Sequence, residues 1–90
     1  MAWKIELSGL AQKALRNIDP QNSTRILRFL RDRLSVLDDP RSMGEALKGA
    51  KLGSLWKYRV GDYRIIADIQ DRVVCIVVVR IGNRRDVYKR

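Results

Sequence analysis

The apolar pattern of the chain predicts an α+β fold in the order β-α-α-β-β-β, with two antiparallel helices packed on one face of a small antiparallel sheet. Three observations predict it. The N-terminus alternates with the period of a strand. Two segments after it carry apolar residues at helical spacing. Two further alternating segments are joined by Gly61-Asp62, a two-residue hairpin signal. No linker, repeat or low-complexity stretch interrupts the 90 residues, so residues 1–90 are expected to form a single domain with one modest core.

Each element has its own signal. Trp3, Ile5 and Leu7 alternate with Lys4 and Glu6, as in a half-buried strand. Ser8 is placed to cap a helix over Gly9–Ile18, whose Leu10, Ala11, Ala14, Leu15 and Ile18 share one face. Asp19-Pro20 ends it and starts another, with Asp as the cap and Pro in the first turn. That second helix is expected to reach about Leu37, burying Ile26, Leu27, Leu30, Leu34 and Leu37 and spreading Arg25, Arg28, Arg31 and Arg33 over its other faces. Asp38-Asp39-Pro40 stops it. Residues 41–54 contain few periodic signals and read as a loop, with a short turn around Glu45–Lys48. Strands are expected over Leu55–Val60, Tyr63–Ile69 and Val73–Ile81, the last a nearly unbroken apolar run of the kind covered on both faces. Gly82 breaks that run, and Asn83–Arg90 is a short basic tail.

Charge is the first functional signal. Nineteen Lys and Arg oppose ten acids, a net of +9. Residues 1–40 hold seven bases and five acids, a net of +2, whereas residues 41–90 hold twelve bases and five acids, a net of +7. Such a surface attracts polyanions, of which nucleic acid is the commonest. A well-solvated surface and an acidic protein partner are the alternatives that charge alone leaves open. The absence of histidine excludes His-based triads and His metal sites, and the one cysteine, Cys75, excludes an internal disulfide and a zinc site. Within its apolar run Cys75 reads as a buried, inert thiol. No phosphate-binding glycine loop is present. No apolar run is long enough for a membrane span, and no signal peptide is evident, so a cytoplasmic protein with no membrane partner is expected.

The hairpin allows a geometric argument. With Gly61-Asp62 as the loop, Val60 faces Tyr63, Arg59 faces Arg64 and Lys57 faces Ile66. Trp56, Tyr58, Val60, Tyr63, Ile65 and Ala67 then share one side of the sheet, as core beneath the helices. Lys57, Arg59 and Arg64 share the other. Three cations gathered there repel one another, which a fold tolerates more readily when an anion sits among them. The plainer reading is a strand face whose long basic side chains spread into water. Trp3 and Trp56 lie on alternating apolar faces, so core packing is expected of them before base stacking.

Two stretches carry a resemblance. Leu55-Trp56-Lys57-Tyr58-Arg59-Val60-Gly61-Asp62-Tyr63-Arg64-Ile65-Ile66 and Val79-Arg80-Ile81-Gly82-Asn83-Arg84-Arg85-Asp86-Val87-Tyr88 resemble the RelE family of bacterial type II toxin–antitoxin toxins, within the wider RelE/ParE superfamily. The element order and the loop after Pro40 resemble it too. The resemblance implies a RelE-like toxin domain whose function is to cleave mRNA in the ribosomal A site. Attack of a ribose 2′-hydroxyl, without metal or other cofactor, would inhibit translation. It implies as partners the ribosome, mRNA and a cognate RelB-like antitoxin, in a toxin–antitoxin complex expected to be oligomeric. Residue by residue, it implies that Lys57 is the general base, Arg59 stabilises the developing phosphate charge, Arg64 contacts the scissile phosphate, Arg84 protonates or clamps the leaving oxygen, and Tyr88 positions or stacks on the message. An arginine holds its proton too tightly to be an easy acid, which favours the clamp for Arg84. Asn83 stands where many relatives carry histidine, so histidine acid–base chemistry is not expected. The chain ends two residues after Tyr88, where some relatives continue into a helix that the antitoxin displaces; that inhibition route is not expected here. Arg28, Lys48, Lys51, Arg85, Lys89 and Arg90 are assigned to binding RNA or the ribosome.

Two other functions fit the same fold. A ParE-like toxin would inhibit DNA gyrase by protein binding and cleave nothing, with no need to assemble the Lys57, Arg59, Arg64, Arg84 and Tyr88 set. A catalytically inert nucleic-acid- or ribosome-binding module would keep the basic face and tolerate Lys57→Ala and Arg84→Ala.

Overall fold

Ser8 sits where the first strand meets the first helix, and it ties three elements together. In the computed structural model, which describes residues 2–47 and 55–83, strand β1 spans Lys4–Leu7 and helix α1 spans Gly9–Asn17. The Ser8 hydroxyl accepts from Ala11 N at 3.1 Å, capping α1. It also donates to Val79 O at 2.8 Å, and Ser8 N donates to Val78 O at 2.9 Å. Asp19 caps the second helix, α2 (Pro20–Arg28), accepting from Asn22 N at 3.1 Å. The expected caps and the proline at the start of α2 are therefore present.

The second helix departs from expectation in its last part. After Arg28 it widens into a π-helical turn over Phe29–Leu34, ending with Ser35 N donating to Leu30 O at 3.0 Å. It thus stops short of Leu37. Two residues assigned to buried stripes are exposed: Leu10 at 68% and Leu27 at 42%. Each lies at the edge of its stripe. Ala11, Ile26, Leu30 and Leu34 do the burying instead, at 1% exposure or less.

The segment after Pro40 holds more structure than a loop. A 3₁₀ turn over Pro40–Met43 is capped by Asp39 and followed by a two-residue strand β2 (Glu45–Ala46). Two residues are too few to show a period in the sequence. Strands β3 (Leu55–Val60), β4 (Tyr63–Gln70) and β5 (Cys75–Asn83) complete a sheet in the order β1-β5-β4-β3-β2. The sheet is mixed: β1 runs parallel to β5, and the other pairs are antiparallel. The two helices carry the chain from β1 to β2 at the far edge, and the antiparallel run β2-β3-β4-β5 then returns it to lie parallel beside β1. Helix α1 packs on β5, and Ile26, Leu30 and Leu34 join Tyr58, Val60, Ile65, Ala67, Ile69, Ile76, Val78 and Ile81 in one core. Trp3 is buried within it and Trp56 packs against it, as expected of core aromatics.

The β3–β4 register is the one expected: Val60 opposite Tyr63, Arg59 opposite Arg64, Lys57 opposite Ile66. Gly61 has φ +60° and Asp62 does not have a positive φ, the pattern of a type II′ turn. The apolar run forms a central strand, but it is not uniformly covered. Ile66 pairs with Arg80 and Ala67 with Val78, leaving Val79 as an extra residue on β5. This β-bulge reverses the alternation of the strand. Ile76, Val78 and Ile81 face the core, while Arg80 is exposed on the outer side.

Tyr58 locks the 3₁₀ turn to the sheet. Its hydroxyl donates to Pro40 O at 2.9 Å, its ring stands 6.2 Å from that of Phe29, and burial pushes its pKa up to about 12. A Cβ at Gly44 would lie 2.7 Å from the ring, so only glycine fits there without movement. Tyr58→Phe leaves the Pro40 carbonyl without its donor and is expected to cost about 1–2 kcal/mol in a urea titration at neutral pH. The raised pKa favours the protonated phenol in the folded state. The stability it contributes is complete below the unfolded pKa of 10.0 and is lost as pH rises to about 12. The gap between wild type and Tyr58→Phe should therefore close across that window, and a constant gap would contradict the burial of the phenol. Ser8→Ala is expected to lower stability by about 1 kcal/mol or more, since it removes a helix cap and the hydroxyl bonded at the bulge. A change below about 0.3 kcal/mol would contradict that role.

Candidate nucleic-acid interface

The outer side of the sheet, opposite the core, is built by strand alternation. Register across β3, β4 and β5 places Lys57, Ile66 and Arg80 in one row and Arg59, Arg64 and Gly82 in the next. Lys57, Arg59 and Arg64 thus come together as expected. They line a recess of about 100 Å³ with Met43, Glu45 and Tyr58. Arg59 is exposed, Lys57 and Arg64 half-buried. The Arg64 guanidinium donates to Tyr63 O at 3.3 Å, which steadies its stem and leaves its other donors for a ligand. Ile66 is 5% exposed and gives the row a dry floor.

Two members of this surface were not among the expected site residues. Arg80 arrives there only because of the bulge at Val79; strict alternation with Ile76 and Val78 would point it into the core. The signal in the sequence is a lone arginine inside an apolar strand, which is too costly to bury unpaired. Glu45 lies opposite Lys57 on β2 and, among the described residues, is the acidic side chain that lines the recess. Finding it required seeing the two-residue strand.

Arg28 sits elsewhere, in a groove of about 420 Å³ between the second helix and the hairpin, and Arg59 lines that groove as well. The arginines expected to spread over the helix surface instead divide. Arg31 pairs with Asp32 at 2.9 Å, lowering the carboxyl pKa and raising that of the guanidinium. Arg25, Arg28 and Arg33 line the groove. Arg84 and Tyr88 among the expected catalytic residues, and Lys48, Lys51, Arg85, Lys89 and Arg90 among the expected binding residues, lie outside the described residues.

The remaining chemistry is structural. Arg41 bridges Asp39 and Asp71, and its hydrogen bonds hold the Asp71 carboxyl below its ordinary pKa. Cys75 is buried, and burial pushes its thiol pKa up, away from reactive thiolate. Among the described residues no cluster of three or more His, Cys, Asp or Glu could hold a metal, and no helix is long and apolar enough to cross a membrane.

What the arrangement offers is a small recess rimmed by convergent cations. Comparison with known proteins places the fold. The chain is 26% identical to Toxin RelG of Mycobacterium tuberculosis over 90 residues, the full length of each. It matches a chain of the toxin–antitoxin complex RelBE2 from the same organism with a TM-score of 0.83 at 23% identity, covering 96% of this chain and 95% of that one, a likeness of fold. A chain of the archaeal RelE-RelB complex of Pyrococcus horikoshii matches with a TM-score of 0.74 at 26% identity, covering 96% and 99%. The family model described as the ParE toxin of type II toxin–antitoxin systems, parDE, matches residues 5–88. The chain belongs to this family of type II toxins, within the RelE/ParE superfamily, and its α+β fold is the RelE-like one.

Proposed function

We propose that this toxin is a ribosome-dependent endoribonuclease that cuts mRNA in the A site without a metal. The observation that carries the reading is the convergence of Lys57, Arg59 and Arg64, with Arg80 beside them, on one side of the sheet. A phosphodiester seated there is the reacting group. The 2′-oxygen attacks the adjacent phosphorus and gives up its proton to Lys57. The bond from phosphorus to the 5′-oxygen breaks, and that oxygen takes a proton from water. A 2′,3′-cyclic phosphate and a 5′-hydroxyl result. Arg59 and Arg64 stabilise the charge that builds on the phosphate, as donors aimed at a transition state do. Arg80 adds positive charge beside Ile66. Arg84 is assigned as a clamp on the leaving side and Tyr88 as the group that positions the message. Lys48, Lys51, Arg85, Lys89 and Arg90 are assigned to RNA and ribosome binding. The single domain is proposed to work in the cytoplasm, where the ribosome orients the message and supplies much of the acceleration. A RelB-like antitoxin with an acidic segment would cover the outer side and silence it in an oligomeric complex.

Inhibition of DNA gyrase is the second reading, favoured by the ParE description of the matching family model. Expression in a cell-free translation system with mapping of mRNA ends separates the two. Cut message is expected, with gyrase supercoiling unaffected; intact message with blocked supercoiling reverses the assignment. Arg64→Ala is expected to slow cleavage about 10²–10³-fold, the usual effect of removing one such donor. Lys57→Ala should fall at least as far and Glu45→Gln far less. A Glu45→Gln loss that matches Lys57→Ala would transfer the base role to the carboxylate. Unimpaired cleavage by Lys57→Ala and Arg64→Ala alike would leave the outer side with no catalytic part.

A further inference from the structure

The groove beside the hairpin is a second concentration of positive charge. Arg25, Arg28, Arg33 and Arg59 line it against one carboxylate, Asp32, which is already engaged by Arg31. None of the four arginines makes a hydrogen bond or ion pair among the described residues, whereas Arg31 and Arg41 nearby are paired. Two local departures from regular structure bring the four together. Residues five apart stand about 140° apart around an α-helix. The π-helical turn over Phe29–Leu34, with its i→i+5 bonding, brings Arg33 nearly into line with Arg28. At the hairpin, a Cβ on Gly61 would lie 3.0 Å from Arg25 Nη1, so the bare glycine allows the guanidinium to rest against the turn. The same turn carries Leu30 and Leu34 into the core, so it sets the buried face and the groove together.

The groove is also continuous with the outer-side recess. Arg59 and Met43 line each of them. A chain of phosphates seated at Lys57 and Arg64 therefore has a path past Arg59 into the groove, where Phe29 and Met43 add apolar surface for a base.

We infer that the groove binds the single-stranded RNA flanking one side of the scissile phosphate, through phosphate contacts to Arg25, Arg28 and Arg33. This rests on the reading that the outer side seats an RNA phosphodiester. The groove then acts as a positioning site for the strand being cut. Because it reads backbone, its contribution is indifferent to base sequence.

The test uses the full chain and single-stranded RNA oligonucleotides bearing a 2′-deoxy nucleotide at the central position, so that they bind without being cut there. Affinity is followed by fluorescence anisotropy as the oligonucleotide is lengthened at one end or the other, across a salt series. Wild type should gain affinity from lengthening at one end only. Arg28→Gln/Arg33→Gln should lose that gain, bind the long oligonucleotide about tenfold more weakly, and show a salt slope shallower by about 1.4, from two single-strand phosphate contacts. Arg28→Lys/Arg33→Lys, which keeps the charge, should recover most of it. An unchanged slope and affinity in the glutamine variant would overturn the proposal. So would equal gains from lengthening at each end. Weakened binding of a polyglutamate peptide with RNA binding intact would overturn it too, assigning the groove to an acidic protein. Message cleavage in the cell-free system is scored separately. A chain that binds one-sidedly but does not cut keeps the groove and loses the nuclease. A chain that cuts while ignoring Arg28 and Arg33 keeps the nuclease and loses the groove.

Discussion

One inserted residue decides which side of the sheet β5 presents to its surroundings. Before Val79 the even-numbered side chains Ile76 and Val78 face the core; after it, Ile81 does. Without the insertion, Arg80 would enter the interior and Ile81 would leave it. Burying an unpaired guanidinium costs several kcal/mol, and exposing a well-buried isoleucine forfeits about 1.5–3 kcal/mol more. The bulge is therefore a condition of the core as much as of the outer surface. It leaves the Val79 carbonyl outside the β4 pairing, and the Ser8 hydroxyl satisfies it at 2.8 Å. The same oxygen caps α1. The start of the first helix and the aim of the last strand are thus set by one side chain.

The electrostatics follow from that geometry. Like charges about 5 Å apart repel by under about 1 kcal/mol through water, and by several-fold more where protein shields them from it. Arg59 stands opposite Arg64 in the register, with Lys57 and Arg80 in the adjoining row, so like charges share this side. Asp32 is engaged by Arg31, and Asp39 and Asp71 by Arg41. Among the described residues Glu45 is the acidic side chain that lines the recess. The repulsion is a small debit against a well-filled core, and an arriving phosphate converts it into attraction.

The legible parts of this molecule were those with a repeated signal. Caps at Ser8 and Asp19, the Gly61-Asp62 turn and the alternation of Trp56, Tyr58 and Val60 each repeat a local rule, and each holds in the structure. From that turn alone Lys57, Arg59 and Arg64 were placed on a common side. The parts that escaped break the period by one residue or are too short to have one. The π turn shifts the phase of the second helix after Arg28, so Arg33 moves to a face that a period of 3.6 does not assign it. The bulge does the same to β5 and hides Arg80. Strand β2 is two residues long and takes its place from pairing with β3, not from its own composition. In each case the deciding energy is tertiary, and a window along the chain does not contain it. Val74 is a further instance. A β-branched residue at φ 49° is disfavoured locally, but its carbonyl accepts from Lys4 N where β1 joins β5.

Charge is also sorted along the outer side, and the sorting gives the surface a direction. Toward the hairpin lie Lys57, Arg59, Arg64 and Arg80. Toward the opposite end, pairing places Glu6 beside Val77 and Asp68 across from it, with Lys4 beside Cys75 in the next row and ion-paired to Glu6 at 3.2 Å. A polyanion approaching this side is drawn to the half that carries the excess of positive charge. It is steered on toward the hairpin edge, where Arg59 turns the corner. The strand order thus does more than assemble a site. It gathers the positive charge of the outer side at the hairpin end of the sheet.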